Sequence, residues 1–370
     1  MKFTMGYRVA AFLACCFLSF HLQAQPLSVY VNLQNQIMVW DDGMIRKIDY
    51  LTPISMKTGR TAIPYLDNSR SFKIYYGGGV RTINIGFTNE YHVTDNLVAF
   101  LNARSLNVFD NGVVKNLSLL AQQYFLGDSI LLFHDGVRNE FKAYYNGAVF
   151  PIENFLAGNA IEAVKVSDNI AAYDNYANQF RIFFRGNIIA QEDYAVSSFD
   201  VGRNTVAYID LNRQFKIFHN GKTIIAEDFP PENYTVGDNV VAYVSNDGYF
   251  KIFYEDSIHT IGFFRPQYRV GDNVVAYRDG GGYFRAFYKG DITTLESYYP
   301  DNFIVQYNSL AYVNRANVLR LFTEGEVYDV STMFNNEAQS SQESWQLSYD
   351  VLKYRVGMNL FKIYYKGTEY

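Results

Sequence analysis

Two stretches of the chain repeat each other closely: VGDNVVAYVSNDGYFKIFY at residues 236–254 and VGDNVVAYRDGGGYFRAFY at residues 270–288. Each contains Gly-Asp-Asn, a short apolar strand with a tyrosine, a polar turn and a second strand rich in aromatic residues. The recurring Asp-Asn and Lys/Arg positions either form a chemical site or belong to a repeated fold. The spacing of similar units along the chain decides between these interpretations.

An aromatic residue marks the first apolar strand of every copy, and we call it the register aromatic. Neighbouring register aromatics lie 33 to 42 residues apart, most often 35. A period of this length along nearly the whole chain is the signature of a repeat protein. The register aromatics are Tyr30, Tyr65, Phe100, Phe133, Tyr173, Tyr208, Tyr243, Tyr277, Tyr312 and Tyr354.

Each copy divides into four short extended segments, as in RVGDN, VVAYRD, GYFRAFYKG and ITTLES from residue 269 onward. These segments are rich in Val, Ile, Tyr and Phe, and Gly, Asn or Asp separates them, which indicates strands and tight turns. The sequence therefore predicts an all-β fold, a β-propeller of about ten four-stranded antiparallel repeats of about 35 residues. One wide ring, two smaller rings and a ring with flanking sheet all remain open, and we favour one continuous ring.

The order of strand, short turn, aromatic-rich strand and Gly resembles TolB-type, WD40-like propeller repeats. The turn glycines that carry this resemblance include Gly147, Gly221 and Gly290. The resemblance covers nearly all of the chain after residue 24, but a recurring Trp-Asp ending, Ser-Pro-Asp-Gly openings and Asp-boxes are absent from it. It implies a fold and no particular activity.

The first residues predict a secretory signal. Lys2 and Arg8 precede an apolar run, Val9–Phe20, which is too short to span a bilayer as a helix. Cleavage after Ala24 fits the small-residue rule, and the Ala-Gln ending is similar to signal peptides of Bacteroidota. We expect a signal peptide at 1–24, a repeat domain at 25–370, and export to the periplasm or the cell surface.

The two cysteines, Cys15 and Cys16, both lie in the predicted signal. Acylation of either would make a lipoprotein, but only VAAFLA would remain as the apolar core, so we favour cleavage after Ala24. The mature chain then has no disulfide, and packing alone stabilises it. The formal net charge of −5 gives no electrostatic footprint for nucleic acid, and no later segment predicts a transmembrane helix.

Two insertions and both chain ends depart from the repeat. The insertions are NFLAGNAIE at 154–162 and FNNEAQSSQES at 334–344. The chain enters the first copy in its second strand, SVYVN, and stops just after a third strand, LFKIYYKG. We therefore expect the two ends to meet and to complete one shared sheet.

The Asp-Asn pair is interpreted as turn chemistry. Its Asp recurs as Asp95, Asp128, Asp168, Asp238 and Asp272, but Arg203 and Tyr307 occupy the same position in other copies. A carboxylate needed for catalysis or metal binding would not be replaced by Arg. Gly-Asp-Asn between two strands instead predicts a positive φ and local side-chain hydrogen bonds.

A basic residue recurs in the third strand of eight copies, and we call the set the basic ring. Because side chains alternate along a strand, this position faces away from its apolar neighbours, and Glu recurs in the following strand. The favoured interpretation is an ion pair repeated within or between blades; the alternative is a binding track for an anionic glycan or an acidic protein segment. The basic ring consists of Lys73, Lys142, Arg181, Lys216, Lys251, Arg285, Arg320 and Lys362.

The sequence predicts no catalytic, cofactor or metal site. The histidines after the signal, at 92, 134, 219 and 259, lie in different copies without metal-ligand spacing, and no nucleophile or phosphate-loop motif appears. Adjacent carboxylates such as Glu192 and Asp193 would point to opposite faces of a strand. Aromatic doublets at 75–76, 263–264 and 298–299 offer stacking surfaces for sugars.

These features favour an exported, non-enzymatic scaffold whose loops bind a protein partner of the cell envelope. The alternative is a carbohydrate-binding or carbohydrate-active propeller, a hydrolase or lyase, which predicts Asp, Glu and Tyr side chains converging at one mouth of the ring.

Overall fold

The computed structural model describes residues 26–85, 88–154, 164–334, 344–357 and 359–370. The predicted signal and nearly all of both insertions lie outside these ranges. Ten antiparallel sheets follow one another along the chain, and each sheet pairs strands that are consecutive in sequence. We number the sheets as blades 1 to 10 and call the strands of a blade A to D in chain order.

Blade 1 has three strands in the described part of the chain, which correspond to B, C and D, and every other blade has four. Blades 1 to 5 consist of β1 (Ser28–Val31), β2 (Ile37–Asp41), β3 (Met44–Asp49); β4 (Ser55–Met56), β5 (Ala62–Leu66), β6 (Ser71–Tyr76), β7 (Gly79–Ile85); β8 (Thr88–Val93), β9 (Leu97–Asn102), β10 (Ser105–Asp110), β11 (Val113–Ser118); β12 (Ala121–Leu126), β13 (Ile130–Asp135), β14 (Glu140–Tyr145), β15 (Ala148–Glu153); β16 (Val164–Ser167), β17 (Ile170–Asp174), β18 (Phe180–Phe184) and β19 (Asn187–Ala190).

Blades 6 to 10 repeat the arrangement without interruption. They consist of β20 (Ser198–Gly202), β21 (Thr205–Ile209), β22 (Phe215–His219), β23 (Lys222–Glu227); β24 (Asn233–Val236), β25 (Val240–Val244), β26 (Tyr249–Tyr254), β27 (Ser257–Phe263); β28 (Tyr268–Val270), β29 (Val274–Arg278), β30 (Phe284–Tyr288), β31 (Asp291–Glu296); β32 (Phe303–Gln306), β33 (Ser309–Val313), β34 (Leu319–Thr323), β35 (Glu326–Ser331); β36 (Trp345–Ser348), β37 (Val351–Gly357), β38 (Leu360–Tyr365) and β39 (Thr368–Glu369).

Local sequence explains the tight turns between strands C and D. In blade 6, Asn220 and Gly221 connect the two strands with φ values of 49° and 89°. Two successive positive φ values are the hallmark of the hairpin turn that matches strand twist, and Asn and Gly are the residues that adopt it most easily. A Gly occupies this place in the other blades as well, with φ between 76° and 93°, except in blade 7, where Glu255 and Asp256 form the turn with φ values of 45° and 61°.

Strands B and C form the core, and aromatic rings pack between blades. Phe215 in strand C of blade 6 packs on the register aromatic Tyr243 of blade 7, with ring centroids 5.2 Å apart. Phe250 and Tyr277 repeat this contact at the next seam, at 5.3 Å. Each of these rings is at most 1% exposed, so the seams between blades hold the apolar core of the protein.

The expectation that both chain ends share one sheet is wrong. The C-terminal strands β36 to β39 form a four-stranded sheet of their own, and β1 to β3 form another. The ends instead meet face to face, because Phe361 of blade 10 packs on the register aromatic Tyr30 at 5.3 Å. Trp40 of blade 1 also packs on Tyr365 and Tyr370, at 5.2 and 5.3 Å. The closing contact is therefore an ordinary seam, and the ten blades form one ring.

Strand A of blades 2 to 10 borders a central channel, since the A–B turns of blades 3 and 9 touch across it: the Tyr307 hydroxyl donates to Asp95 Oδ1 at 2.5 Å. The A–B and C–D turns share one face of the ring. The B–C turns and the D–A connections share the opposite face, which we call the loop face. Among the described residues, no helix is long and apolar enough to cross a membrane.

Replacement of Trp40 by Ala tests the closing seam. Trp40 is fully buried against Val351 and Ile363 of blade 10. Removal of a buried Trp side chain costs about 3–5 kcal/mol, so Trp40→Ala should lower the thermal midpoint by several degrees. Met44→Ala, which removes a half-exposed side chain from the same sheet, is the matched control. Equal midpoints for both variants would contradict closure through this seam.

Candidate functional site

The structure places every member of the basic ring in strand C, directly across from the register aromatic in strand B. Tyr243 faces Lys251, Tyr208 faces Lys216 and Tyr65 faces Lys73 in this antiparallel register. The side chains extend toward the loop face along the seam with the preceding blade. All eight therefore occupy one repeated structural position.

Two carboxylates clamp the basic side chain where the pattern is complete. Lys216 Nζ lies 2.9 Å from Asp210, in the B–C turn of its own blade, and 2.8 Å from Glu192, which follows strand D of the preceding blade. Lys73 repeats the arrangement with Asp67 at 2.8 Å and Asp49 at 3.1 Å. The ion pairs thus connect strands within a blade and blades with each other.

The other members of the basic ring are also paired. Lys251 bonds Glu227 at 2.8 Å, and Arg320 bonds Glu296 of the preceding blade at 2.7 Å. The remaining contacts are Lys142 to Asp135, Arg285 to Asp279, Lys362 to Glu369, and Arg181 to the Glu192 carbonyl. Ion pairs account for seven of the eight, Arg181 bonds a backbone carbonyl, and binding of an anionic ligand by the basic ring stays a prediction.

The register tyrosines complete these clusters. Tyr243 donates its hydroxyl to Glu227 at 2.8 Å, and Tyr208 donates to Glu192 at 2.8 Å. The same carboxylate therefore accepts from a tyrosine and a lysine of the following blade. A half-buried carboxylate with two such donors joins neighbouring blades more strongly than a solvent-exposed ion pair would.

The five Asp residues of the Asp-Asn pattern gather at the channel mouth on the face opposite the loop face. They lie in A–B turns as expected, but two details of the turn prediction are wrong. Gly202 and Gly237 have no positive φ; a Cβ on either would approach the next turn's carbonyl oxygen to 1.7 or 2.0 Å. Glycine is required there because consecutive turns crowd together around the channel.

The side-chain hydrogen bonds of the Asp-Asn pair also run between blades and not within one turn. The Asp95 amide donates to Asp128 Oδ1 at 3.2 Å, and the Arg203 amide donates to Asp238 Oδ1 at 3.1 Å. An Asn side-chain ladder runs alongside, in which Asn239 donates to Asn273 at 2.8 Å. The Asp-Asn pair therefore bonds each turn to the next one around the ring.

The channel mouth forms a polar cavity of about 390 Å³. Tyr307 and Tyr349, at the turn position that Asp occupies elsewhere, have φ values of 54° and 53° and pack on each other with ring centroids 4.5 Å apart and ring planes tilted by 37°. Arg203 forms an ion pair with Asp168, and Arg60 lies 4.0 Å from Asp95. Carboxyl, phenol and guanidinium groups therefore converge at one mouth of the ring.

Crowding of these carboxyls changes their protonation. Burial, reinforced by the negative charge of Asp95, raises the pKa of Asp128 to about 7. Burial, together with the nearby Asp238, raises the pKa of Asp272 to about 9. The pKa values of Asp95, Asp238 and Asp350 are raised as well, in each case mainly by burial. Near pH 7 the mouth therefore holds protonated and ionised carboxyls side by side.

The histidines do not assemble into a metal site. His92 Nε2 lies 3.0 Å from Glu90, whereas the His219 ring is buried and bonds Thr205 at 3.0 Å. Burial lowers the pKa of His219. Within the described ranges, no three His, Cys, Asp or Glu side chains are placed to hold one metal ion.

The loop face carries most of the strongly exposed apolar side chains. Every large hydrophobic residue that is more than 60% exposed in the described ranges lies in a B–C turn, in a D–A connection or at the end of a strand D. Phe263 is one of them, while its neighbour Phe264 packs on Tyr277. The set is Tyr50, Leu119, Val137, Tyr176, Tyr194, Leu211, Phe229, Phe263 and Met333.

Sequence reasoning missed this distribution and the asparagines and aspartates that begin the B–C turns. Asp210 Oδ1 accepts the Gln214 amide at 2.7 Å, and Asn175 and Asp279 accept turn amides in the same way. The sequence pattern that predicts these turns lies two residues after the register aromatic, where Asn or Asp recurs in most copies.

With the ring and its sites described, family membership follows. The 10-bladed beta propeller domain family matches residues 21–370. The chain belongs to this family. The family description does not address the TolB-type likeness, which stays a prediction.

Several solved structures are similar to the chain at low sequence identity. The computationally designed Ika8 protein is 15% identical, with a TM-score of 0.30, over 74% of this chain and 94% of that one. The CRINKLY WD40 ectodomain of the Arabidopsis thaliana receptor kinase ACR4 is 11% identical, with a TM-score of 0.32, over 63% and 93%. Prp20p from Saccharomyces cerevisiae is 10% identical, with a TM-score of 0.30, over 71% and 81%. No curated protein sequence matches the chain.

The protonated carboxyls predict that stability falls as pH rises. A carboxyl with a raised folded-state pKa binds its proton more tightly in the folded protein than in the unfolded chain. The free energy of unfolding therefore falls as the pH rises from the unfolded-state pKa, near 4, to the folded-state pKa. For Asp128 and Asp272 this window ends near pH 7 and pH 9. The thermal midpoint should be higher at pH 5 than at pH 9.

Asp272→Asn should reduce this dependence, because the neutral amide needs no proton, whereas Asp193→Asn at an exposed site should leave it unchanged. Melting curves of the three proteins from pH 5 to pH 9 provide the measurement. A parent midpoint that is flat over this range, or equal slopes in all three, would show that the mouth carboxyls are ionised in the folded protein.

Proposed function

We propose that this protein is an exported, non-enzymatic scaffold that binds a protein partner of the cell envelope through its loop face. The observation that carries the proposal is that, within the described ranges, the nine large hydrophobic side chains that are more than 60% exposed lie on that single face. Exposed apolar side chains concentrated on one surface are typical of protein interaction sites. The signal pattern at residues 1–24 supports export, with the Ala-Gln ending typical of Bacteroidota.

The repeat itself supports a binding role over catalysis. The charged side chains of the seams are paired with each other, as Lys216 is with Glu192 and Asp210. Their partners lie within the fold, which leaves them a role in holding blades together. The loops carry the variation between copies, and loops on a rigid scaffold are where binding functions reside.

A carbohydrate ligand at the channel mouth is the second candidate. Asp95, Asp272, Tyr307, Tyr349 and Arg60 converge on the cavity of about 390 Å³ there. Carboxyls and phenols can bond sugar hydroxyls, and tyrosine rings can stack on sugar rings. A carbohydrate function predicts acidic and Tyr side chains converging at one mouth of the ring, and the channel mouth holds Asp and Tyr side chains. The exposed apolar side chains of the loop face favour a protein partner instead.

The test is a crosslinking pull-down from the native envelope with the mature chain as bait and protein identification by mass spectrometry. The loop-face variant combines Tyr50→Ser, Leu119→Ser, Phe229→Ser and Phe263→Ser. The control variant removes exposed hydrophobic residues near the C–D turns: Met44→Ser, Val113→Ser, Val149→Ser and Ile292→Ser. We expect one envelope protein that the parent and the control retain and the loop-face variant loses.

The purified pair must then bind, with an affinity at least about tenfold weaker for the loop-face variant, equivalent to about 1.4 kcal/mol. Identical capture by all three baits would overturn the proposal. Recovery of polysaccharide alone, reduced by Asp272→Asn and Tyr307→Phe, would establish the carbohydrate function in its place.

A further inference from the structure

Three consecutive blades present an exposed arginine on the loop face. Arg70, Arg104 and Arg138 lie in the B–C turns of blades 2, 3 and 4. Among the described residues, no carboxylate lies within ion-pair distance of any of these three guanidinium groups. These three arginines thus differ from the basic ring, whose members form ion pairs with the exception of Arg181.

The carboxylates on this side of the loop face are already occupied. Asp67 and Asp49 bond Lys73, and Asp135 and Glu140 bond Lys142. Together with the three arginines, five cations therefore face four carboxylates around blades 2 to 4, a formal surplus of one positive charge, although the whole chain carries a formal net charge of −5.

The far side of the same face carries exposed charges of both signs. Asp193, Asp228 and Asp301 are exposed in the D–A connections that follow blades 5, 6 and 8, and Arg213 and Arg278 are exposed at the B–C turns of blades 6 and 8. An acidic partner would meet carboxylates among the cations there, whereas blades 2 to 4 offer it three arginines that form no ion pair within the described residues.

Apolar side chains accompany the three arginines. Tyr50 in the connection between blades 1 and 2, Leu119 in the connection between blades 3 and 4, and Val137 beside Arg138 are each more than 60% exposed. We call the set of Arg70, Arg104, Arg138, Tyr50, Leu119 and Val137 the cationic arc.

We propose that the cationic arc is the docking surface for an extended, acidic protein segment that carries apolar side chains. The inference rests on the proposed scaffold function and names the chemistry of its partner. A guanidinium binds a carboxylate through two parallel hydrogen bonds, and Arg and Tyr dominate the binding energy of protein interfaces. Single apolar residues interspersed with arginines can each contact one side chain of an extended segment. A membrane-binding surface would instead present a continuous apolar face.

A peptide-display selection tests the proposal with a defined probe. Random 12-residue peptides are selected on the purified mature chain after depletion on the charge-reversed variant Arg70→Glu, Arg104→Glu, Arg138→Glu. The control depletion uses Lys222→Glu, Lys289→Glu, Lys366→Glu, which reverses three exposed cations on the opposite face. We expect enriched peptides with several Asp or Glu residues and at least one Leu, Phe or Tyr.

The affinity of one enriched peptide is then measured by fluorescence anisotropy. The charge-reversed variant should bind at least about tenfold more weakly than the parent, and Arg70→Gln, Arg104→Gln, Arg138→Gln should lie between them. The control variant should match the parent. Because exposed charges are screened, affinity should fall several-fold between low and high salt. Equal thermal midpoints confirm that all variants are folded.

Three outcomes would overturn the inference. The enriched peptides could lack net negative charge, the charge-reversed variant could bind them as tightly as the parent, or no peptide could be enriched. Lipid specificity is tested with vesicles of phosphatidylglycerol and phosphatidylcholine; sedimentation with them that is lost only in the charge-reversed variant would assign the arc to membranes. None of these results affects envelope capture through the loop face, so failure of the inference is distinguishable from failure of the proposed function.

Discussion

Contact between consecutive blades is the constraint on which the rest of this structure depends. A four-stranded sheet of about 35 residues has two faces to bury and no core of its own. Phe215 of one blade therefore packs on Tyr243 of the next, and the Tyr243 hydroxyl and Lys251 share the Glu227 carboxylate. The aromatic ring supplies apolar burial, while the carboxylate fixes the register of one blade against its neighbour. The same contact between Phe361 and Tyr30 closes the ring.

Crowding at the channel follows from that packing and shapes the chemistry of the protein. Glycines such as Gly202 allow consecutive A–B turns to approach, and the Asp and Asn side chains then bond from blade to blade. Burial, together with repulsion from the neighbouring carboxylates, raises the pKa of Asp272 to about 9. The loop face is free of this constraint, so its turns can vary from copy to copy.

The repeat, the four strands per unit and the C–D turn glycines were predictable, because each is a local pattern with a fixed period. The role of Gly237 and the hydrogen bonds of Asp238 were not, because both depend on the neighbouring blade, which is about 35 residues away in sequence. The sequence predicted that the ring closes through a sheet shared by both chain ends, but it closes through packing of side chains such as Trp40 and Tyr370. The prediction was wrong because the number of strands at each end does not reveal which sheet faces meet. The exposure of Phe229 and Tyr194 on the loop face was likewise not predictable, because it depends on which connections lie on which face of the ring.

The most direct test of a single closed ring is a distance measured across the closing seam. Spin labels at Met44→Cys and Thr368→Cys occupy the first residue of strand D in blades 1 and 10, and labels at Ser257→Cys and Asp291→Cys occupy the same position in blades 7 and 8. The only native cysteines, Cys15 and Cys16, lie in the predicted signal. The account predicts the same narrow distance distribution for both pairs. A longer or broader distribution for the 44 and 368 pair would contradict it.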